Sequence, residues 1–473
     1  MIGRKKEIEE LNRLYEGNRS ELVAVYGRRR VGKTFLIDHT FEGKFKFRHA
    51  GLSPVENNGH GMLQKQLNAF YRSLVLYGMP SCEEPKDWME AFFLLETYLQ
   101  KIDDGSRQLI FLDELPWMDT PRSGFITAFE GFWNNWGCHR DNLMVIVCGS
   151  ANSWILDKLV NNHGGLYDRV TYEIKLSPFT LHECEEFFEE RQMKFSRYDI
   201  AQCYMAYGGI PYYLGYMDGS LSFAQNIDHL FFARNAKLKD EYDRLFSSLF
   251  VSPDAVKEIV CLLSTRKMGF TRKEIARKLK VADGGTLTKN LKALIAGDFI
   301  VKYVPFDVPR KQEYYKLIDP YCLFYLRFLS ESREESFWTD NLNMQEIVVW
   351  RGLAFENLCF NHINQIKKAL GISGVATVHY AWAVKDEDQG TQIDLLISRQ
   401  DNVVNMCEMK FYSDDFSVKK SYYRTMLGRQ EMLSEKVSRK KAVRSTLVTT
   451  FGLKKNEYSG VYTNVITLDD LFA

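Results

Sequence analysis

A glycine-rich segment between an apolar strand and a helical pattern limits the possible folds of this chain more than any other feature. Residues 27–34 read Gly-Arg-Arg-Arg-Val-Gly-Lys-Thr and match the pattern Gly-x-x-x-x-Gly-Lys-Ser/Thr. Glycines let such a loop curl until its N–H groups point inward, and the following helix presents its positive N-terminus. We therefore expect a phosphate-binding loop in which Lys33 reaches the β and γ phosphates and Thr34 offers a hydroxyl to Mg²⁺.

The loop predicts a set of nucleotide contacts. They are Gly27, Arg28, Arg29, Arg30, Val31, Gly32, Lys33, Thr34 and Phe35. The three arginines are unusual inside such a loop. They are either additional phosphate or DNA contacts or solvated side chains.

A second apolar strand ends in two adjacent carboxylates. Residues 109–114 read Leu-Ile-Phe-Leu-Asp-Glu, and ligands bind at the carboxyl ends of parallel strands. We expect Asp113 to hold the Mg²⁺ shell and Glu114 to polarise the attacking water. Ser150 and Asn152 follow the next apolar strand. They contact the γ-phosphate or the water, or else they belong to an ordinary strand-to-helix cap.

Short apolar runs alternate with helical patterns over residues 1–180, which predicts a parallel sheet with helices on both faces. Residues 181–250 read as a helical lid. Residues 251–330 show three helical patterns and then two strand-like segments, the order of a winged helix-turn-helix. The polar residues 331–345 read as a linker and 346–473 as a further α/β unit. The strands expected in the first segment are 22–27, 45–50, 109–113, 143–149 and 171–176.

Composition places the chain among ordinary globular proteins. Its 473 residues are 45% hydrophobic and 26% charged, which excludes a disordered or fibrous chain. Because 62 Lys and Arg oppose 61 Asp and Glu, contact with nucleic acid requires a locally basic segment. The nine cysteines form no Cys-x-x-Cys pair, and no apolar run approaches the ~18 residues of a membrane span. We expect a cytoplasmic protein with no membrane partner.

Three motifs resemble those of the archaeal-type branch of the AAA+/STAND P-loop ATPases. Residues 2–11, Ile-Gly-Arg-x-x-Glu-Ile-x-x-Leu, resemble the opening motif of that family. Residues 112–117 resemble its Walker B segment, and residues 208–214 resemble the GxP motif of its helical lid. The resemblance covers residues 1–250 and implies a P-loop ATPase with ATP and Mg²⁺ as cofactors and Pro211 among the nucleotide-site residues.

The same resemblance implies a role for Arg169, which precedes the fifth expected strand. An arginine finger acts there from a neighbouring subunit, so the resemblance implies a homo-oligomer. Such a residue contributes about 10³–10⁵ in rate. The alternative is a surface salt bridge.

Local charge marks the predicted winged helix. Residues 266–292 include nine basic and two acidic residues, a net charge of +7. A helix of this kind can enter a DNA major groove, with phosphate contacts supplying most of the affinity. The alternative is an intramolecular brace on the ATPase. The side chains expected to face bases or phosphates are Thr286, Thr288, Lys289, Asn290 and Lys292.

The C-terminal unit contains a second candidate site. In a hairpin centred on Asp401, Asp394 lies opposite Glu408, and Glu408 shares a face with Lys410. Two carboxylates and a lysine at one point suit a Mg²⁺ site, with the lysine steadying the water or the scissile phosphate. Glu356 on the preceding helix can add a ligand.

The Asp…Glu-x-Lys pattern resembles the PD-(D/E)XK nuclease superfamily, in the form appended to archaeal-type ATPases. The alternative is an inactive nuclease-like domain that binds DNA or protein. Residues 410–455 carry twelve basic and four acidic residues, a net charge of +8, with Tyr412, Tyr422 and Tyr423 interleaved. This segment is either a groove for a nucleic acid backbone or a solvated basic face.

Together these features predict a Mg²⁺-dependent ATPase that binds DNA and couples hydrolysis to a nuclease-like C-terminal domain. A different class of function stays open. In it, the nucleotide state controls assembly or a protein partner, and the C-terminal domain is an inactive binding module. The salt dependence of DNA retention separates the two, because a protein-partner switch lacks it.

Overall fold

The computed structural model describes residues 1–53, 61–150, 152–160, 165–166, 168–250, 252–306, 312–384 and 391–473. The chain divides into two compact units. The first comprises Met1–Pro178, Asp243–Pro253 and Lys289–Asp298, and the second comprises Phe179–Tyr242, Asp254–Thr288 and Phe299–Ala473. The predicted end of the ATPase core at residue 180 lies next to the end of the first stretch. Across the described ranges, every helix is too short or too polar to cross a membrane.

Five parallel strands form the sheet of the first unit. They are β1 (Glu21–Tyr26), β2 (Phe45–Ala50), β3 (Gln108–Asp113), β4 (Leu143–Gly149) and β5 (Tyr172–Lys175). Their order is β2-β3-β4-β1-β5, and every pairing is parallel. Strands β1, β3 and β4 are buried along their whole length, as continuous apolar runs in a parallel sheet are. The predicted five-stranded parallel sheet is confirmed.

Helices alternate with these strands and bury an aromatic core against the sheet. The core includes Phe70, Trp88, Phe92 and Phe125, and the rings of Trp88 and Phe125 meet edge to face at 4.9 Å. The helices are α1 (Lys5–Tyr15), α2 (Lys33–Thr40), α3 (Met62–Leu76), α4 (Trp88–Lys101), α5 (Leu115–Met118), α6 (Phe125–Asn135) and α7 (Asn152–Ile155), with a 3₁₀ turn at Gly137–His139 and a π-helical turn at Leu156–Val160.

A helical segment follows the sheet. It consists of α8 (Leu181–Glu190), α9 (Arg197–Tyr207), α10 (Pro211–Leu214), α11 (Phe223–Ile227), a π-helical turn (Asp228–Phe232) and α12 (Glu241–Leu249). The turn at residues 208–211, Gly-Gly-Ile-Pro, packs directly against the backbone of Phe179. A Cβ on Gly209 would lie 2.0 Å from the Phe179 carbonyl oxygen, so this position accepts glycine alone.

Residues 253–328 combine four helices with a small antiparallel sheet. The elements are α13 (Pro253–Ser264), β6 (Phe270–Thr271), α14 (Arg272–Leu279), α15 (Gly285–Ala296), β7 (Ile300–Tyr303), β8 (Tyr314–Leu317) and α16 (Pro320–Phe328). The strand order is β6-β8-β7. Strand β6 is absent from the sequence prediction because it is only two residues long.

The predicted linker at 331–345 is packed rather than extended. It contains α17 (Phe337–Asp340), in which Phe337 and Trp338 are buried. The Asp228 carboxylate accepts hydrogen bonds from the backbone N–H of Trp338 at 2.7 Å and of Thr339 at 2.9 Å. The polar composition of this segment gave no indication that Phe337 and Trp338 are buried, or that Asp228 caps the helix from a distant position in sequence.

The C-terminal segment forms a mixed five-stranded sheet. Its elements are α18 (Gln345–Asn361), α19 (Ile363–Ala369), β9 (Thr377–Val384), β10 (Thr391–Arg399), β11 (Val403–Lys410), α20 (Lys420–Lys436), β12 (Ala442–Thr449) and β13 (Asn464–Ile466), with 3₁₀ turns at Ser459–Val461 and Asp469–Phe472. The order is β13-β12-β11-β10-β9. Strands β9, β10 and β11 pair antiparallel, whereas β11, β12 and β13 pair parallel. The one helix expected near 350–369 is broken at His362, which lies outside the helical region at φ −117° and ψ 29°.

Candidate functional site

The glycine-rich loop connects β1 to α2 in the first unit. Gly27 has φ +154°, and a Cβ there would lie 2.2 Å from the Leu176 carbonyl oxygen. Gly32 caps α2 with φ +90°, a conformation that side chains disfavour. Both glycines of the motif are therefore required by the backbone path.

Lys33 is buried at the mouth of this loop. Its Nζ donates to the carbonyl oxygens of Gly27 at 3.0 Å and Arg28 at 3.1 Å. A third bond reaches Ser150 Oγ at 3.1 Å. The ammonium group thus lies where the N-terminus of α2 and the end of β4 meet, and both the cation and the helix end favour a bound anion.

Thr34 and Asp113 face each other across the end of the sheet. Thr34 Oγ1 donates to Asp113 Oδ2 at 2.8 Å, and the other oxygen, Oδ1, accepts from the Glu114 backbone N–H at 2.9 Å. A hydroxyl and a carboxylate are oxygen donors of the kind Mg²⁺ takes. The two predicted metal-site residues of the ATPase core are brought together.

Glu114 bonds to Ser150 through both carboxylate oxygens. Ser150 Oγ donates to Glu114 Oε1 at 2.7 Å, and the Ser150 N–H donates to Oε2 at 3.1 Å. Glu114 itself has φ +45°, an uncommon backbone conformation for a non-glycine residue. Because Ser150 Oγ also accepts from Lys33, one hydroxyl connects the predicted base to the predicted phosphate-binding cation.

Sequence reasoning missed a supporting residue, Gln66. Its buried amide donates to the carbonyls of Leu52 and Trp117, each at 2.8 Å, and accepts from the Leu52 N–H at 3.0 Å. It thereby fixes the chain after β2 to the chain after Glu114. A single glutamine inside a helix carries no sequence pattern that could have revealed this.

The remaining predicted nucleotide contacts differ in exposure. Arg28 and Val31 are buried and Phe35 is 62% exposed, so burial excludes the solvated alternative for Arg28. Arg169 is exposed in the turn before β5. Only the backbone of Asn152 is described. Pro211 begins α10 in the second unit.

A second cluster of charged residues lies within the second unit, at one end of the β10–β11 hairpin. Leu395 pairs with Cys407, so Asp394 and Glu408 follow at the open end of the ladder. Asp394 Oδ2 accepts from the Met409 N–H at 3.1 Å, and Lys410 Nζ donates to Glu408 Oε1 at 2.6 Å. The Asp…Glu-x-Lys residues are neighbours.

Protein donors bond to each predicted metal ligand of this cluster. Lys267 forms ion pairs with both Glu356 and Asp394, the latter at 3.0 Å. Glu408 accepts from Arg429 at 2.7 Å and from the Tyr422 hydroxyl at 2.7 Å. In the described part of the chain, no three Asp, Glu, His or Cys side chains are arranged to hold a metal ion. The predicted set of Glu356, Asp394 and Glu408 is therefore not assembled as a metal site, because cationic side chains take its oxygens.

Electrostatics in this cluster follow from burial and these pairings. Burial, with the Asp394 charge next, raises the pKa of Glu356 to about 7, and Lys267 opposes the change. Burial lowers the pKa of Lys316 to about 8. Burial would raise the pKa of Glu408, but Lys410 and Arg429 together lower it. Sequence reasoning counted Lys267 and Arg429 only toward the two basic segments and gave no role to Lys316, so none of the three was expected at this cluster.

The two basic segments are partly neutralised within the protein. Arg266 forms two bonds of 3.0 Å to Glu274, and Arg272 pairs with Asp283. Thr288 Oγ1 donates to Gly284 O at 3.1 Å, and Tyr422 bonds to Glu408, so neither is a free nucleic acid contact. The exposed residues of these segments include Lys273, Arg277, Lys278, Lys280, Thr286, Lys289 and Lys292, and Tyr412, Lys419, Lys420, Arg424, Arg439, Lys440, Arg444, Lys454 and Lys455.

Comparison with known proteins finds similarity over the part of the chain that contains the first site. Residues 1–217 match a family described as an ATPase domain predominantly from Archaea. An uncharacterized protein of Methanocaldococcus jannaschii is 26% identical over 332 residues, which cover 69% of this chain and 68% of the relative. An uncharacterized ATP-binding protein of the same organism is 45% identical over 51 residues, which cover 11% of this chain and 85% of the relative. The chain is an ATP hydrolase, and its residues 1–217 are similar to this archaeal ATPase domain.

Solved structures give further similarities. A Walker-type ATPase of Pyrococcus abyssi is 18% identical with a TM-score of 0.47, over 69% of this chain and 96% of that chain. The ORC2 protein of Aeropyrum pernix in its ADPNP–ADP complexes is 16% identical with a TM-score of 0.39, over 69% of this chain and 93% of that chain.

Proposed function

We propose that this ATP hydrolase uses Mg²⁺, binds DNA through its exposed basic residues, and carries a nuclease-like domain in residues 346–473. One observation carries the proposal beyond ATP hydrolysis. Asp394 bonds to the backbone between Glu408 and Lys410, so the Asp…Glu-x-Lys residues are grouped at one end of a hairpin.

The ATPase chemistry follows from four side chains. Lys33 provides a buried ammonium at the N-terminus of α2, and the Thr34 hydroxyl and the Asp113 carboxylate are the oxygens that would hold Mg²⁺. When bound, Mg²⁺ neutralises charge on the transferring phosphate. Glu114 accepts the proton of the attacking water, and Ser150 fixes the orientation of its carboxylate.

Contact with DNA is supported by exposed cations that form no ion pair with any residue in the described ranges. Lys273, Arg277, Lys278 and Lys280 are exposed on and just after α14. The two helices α14 and α15 and the sheet β6-β8-β7 support a winged helix-turn-helix in this segment. Because phosphate contacts dominate such binding, the proposed affinity falls steeply with salt.

Arg169 completes the proposal for the ATPase. It is exposed next to β5, which suits an arginine that acts on the nucleotide of a neighbouring copy in a homo-oligomer. Mixing Arg169→Ala and Lys33→Ala subunits tests this. An ATP hydrolysis rate of the mixture above the sum of the two separate variants supports action between subunits. A rate equal to that sum contradicts it.

A second candidate is an ATP-controlled switch in which residues 346–473 are an inactive binding module. The ion pairs from Lys267, Lys410 and Arg429 favour it, because they occupy the oxygens that a metal needs. If this candidate is right, Asp394→Ala leaves the ATP-controlled switching function unchanged.

Retention of duplex DNA across a salt series tests DNA binding. Lys273→Glu with Arg277→Glu should weaken retention and reduce the slope of log affinity against log salt by about 2. The matched control, Lys6→Glu with Lys101→Glu, changes charge equally at exposed positions outside both basic segments. Failure of the wild type to retain any DNA at low salt contradicts the proposal.

Cleavage of plasmid and linear DNA with Mg²⁺ or Mn²⁺, with and without ATP, tests the nuclease-like domain. Loss of cutting in Asp394→Ala identifies a nuclease, and an effect of Lys33→Ala identifies coupling to ATP. If no cutting occurs while hydrolysis is intact, the switch becomes the better explanation.

A further inference from the structure

We propose that Lys267 is a built-in plug of the C-terminal carboxylate cluster, and that a divalent cation binds Glu356 and Asp394 only when this lysine is withdrawn. The inference rests on the proposed function for the nuclease-like identity of the cluster. It goes beyond that function by naming the group that controls the site. All the residues involved belong to the second unit.

The first step is the competition for oxygens. The Lys267 ammonium forms ion pairs with one oxygen of Glu356 and one oxygen of Asp394. The other Asp394 oxygen accepts from the Met409 N–H at 3.1 Å. Mg²⁺ demands close, nearly octahedral contacts at about 2.0–2.1 Å, so an ion that bridges the same two oxygens would take the position that the ammonium group now holds. A cation bridging the two carboxylates must replace Lys267.

The second step is the balance of charge. The three carboxylates Glu356, Asp394 and Glu408 pack with four cationic side chains, Lys267, Lys316, Lys410 and Arg429. A divalent ion added to a cluster whose formal charge is already positive is repelled. Withdrawal of one lysine is the smallest change that makes the cluster neutral before the metal binds.

The third step is the rigidity of the segment that carries the plug. Lys267 lies between α13 and β6, in a turn closed by a 2.7 Å bond from the Gly269 N–H to the Arg266 carbonyl. The Tyr303 hydroxyl donates to the Met268 carbonyl at 2.7 Å. Gly269 has φ +72°, and a Cβ there would lie 1.9 Å from the Tyr315 carbonyl oxygen. Lys267 is therefore aimed at the carboxylates by a fixed turn and is not a flexible surface side chain.

The turn also begins the basic segment 266–292. The exposed cations of α14, proposed above to contact DNA, follow Lys267 directly in sequence. Lys267 and the cations that we propose to contact DNA therefore belong to one continuous segment of the chain.

Mn²⁺ binding to the full-length protein tests the plug. Isothermal calorimetry without nucleotide compares the wild type with Lys267→Met, Lys267→Arg and Lys267→Met/Asp394→Asn. We expect Lys267→Met to gain one equivalent of bound Mn²⁺ that the double variant lacks. Lys267→Arg keeps the cation and should bind no more than the wild type. Mn²⁺ should also raise the melting temperature of Lys267→Met by more than it raises that of the wild type.

Two results overturn the inference. One is a wild type that binds as many equivalents of Mn²⁺ as Lys267→Met and more than the double variant. The other is a folded Lys267→Met that gains no site. If Lys267→Met does not fold, Lys267→Gln, which keeps neutral N–H donors, is measured under the same criteria. A Mn²⁺-loaded Lys267→Met that leaves DNA intact contradicts nuclease activity, yet supports the plug, so the two proposals fail separately.

Discussion

Acid should destabilise the second unit through His362, because its two hydrogen bonds require a neutral ring. The Leu181 N–H donates to Nε2 at 3.0 Å, and Nδ1 lies 2.8 Å from the Leu358 carbonyl. Nε2 must accept and Nδ1 must donate, which fixes one neutral tautomer. A second proton on Nε2 removes the acceptor for the first N–H of α8 and charges a fully buried ring.

The magnitude follows from the pKa. Burial lowers the pKa of His362 from 6.5 to about 4. The unfolded chain therefore binds more protons between these two values, and stability is lost as the pH falls through this window. At about 1.4 kcal/mol per unit of pKa difference, the full loss is about 3 kcal/mol below pH 4. Between pH 7.5 and pH 5 it is about 2 kcal/mol.

Urea unfolding at pH 7.5, 6 and 5 measures this loss. His362→Gln keeps an oxygen for the Leu181 N–H and an amide donor for Leu358 but has no titrating ring. Its free energy of unfolding should fall by about 2 kcal/mol less than that of the wild type between pH 7.5 and pH 5. His49, whose pKa burial also lowers to about 4, contributes to both proteins and cancels. His182→Gln, at an exposed position, controls for the loss of an imidazole. Equal pH dependence in the wild type and His362→Gln would refute the argument.

Two further predictions concern the ATPase site. Glu114→Gln should lower kcat by about 10²–10⁴ because it removes the base, with nucleotide affinity retained in a fluorescent-nucleotide titration; an unchanged kcat contradicts the assignment. Gly27→Ala should abolish nucleotide binding because its Cβ would lie 2.2 Å from the Leu176 carbonyl. Gly43→Ala, at φ +72° with nothing within 4 Å, is the matched control and should cost only about 1–2 kcal/mol; equal behaviour of the two glycine variants counts against the steric argument.

The ATPase core could be predicted because its information is local in sequence. The strand, the loop and the start of α2 are contiguous, so residues 27–34 define their own geometry. Asp113 and Glu114 follow the same rule, since parallel strands end at one edge of the sheet. The sequence could not predict Gln66, whose role depends on the positions of Leu52 and Trp117 in the folded chain.

The C-terminal cluster was only half predictable, because only some of its contacts are between residues close in sequence. The hairpin register follows from a short turn, which brought Asp394, Glu408 and Lys410 together on local grounds. Lys267 is separated from Asp394 by 127 positions in sequence, and no spacing rule connects them. The helix α17 inside the predicted linker at 331–345 was missed on similar grounds, because the cap on α17 comes from Asp228.

The two sites of this chain each hold a partly or fully buried lysine among oxygens, and the kind of oxygen decides what the lysine can do. Lys33 bonds to two neutral backbone carbonyls and a hydroxyl. Exchange of these for an anionic phosphate strengthens its electrostatic interactions, so the lysine stays and becomes a ligand contact. Lys267 bonds to two carboxylates, which are themselves the groups that a divalent cation needs. Any cation that binds there must break two ion pairs, so the lysine has to leave. Equivalent substitutions should therefore have opposite effects: loss of the Lys33 ammonium weakens ligand binding at the first site, and loss of the Lys267 ammonium creates it at the second.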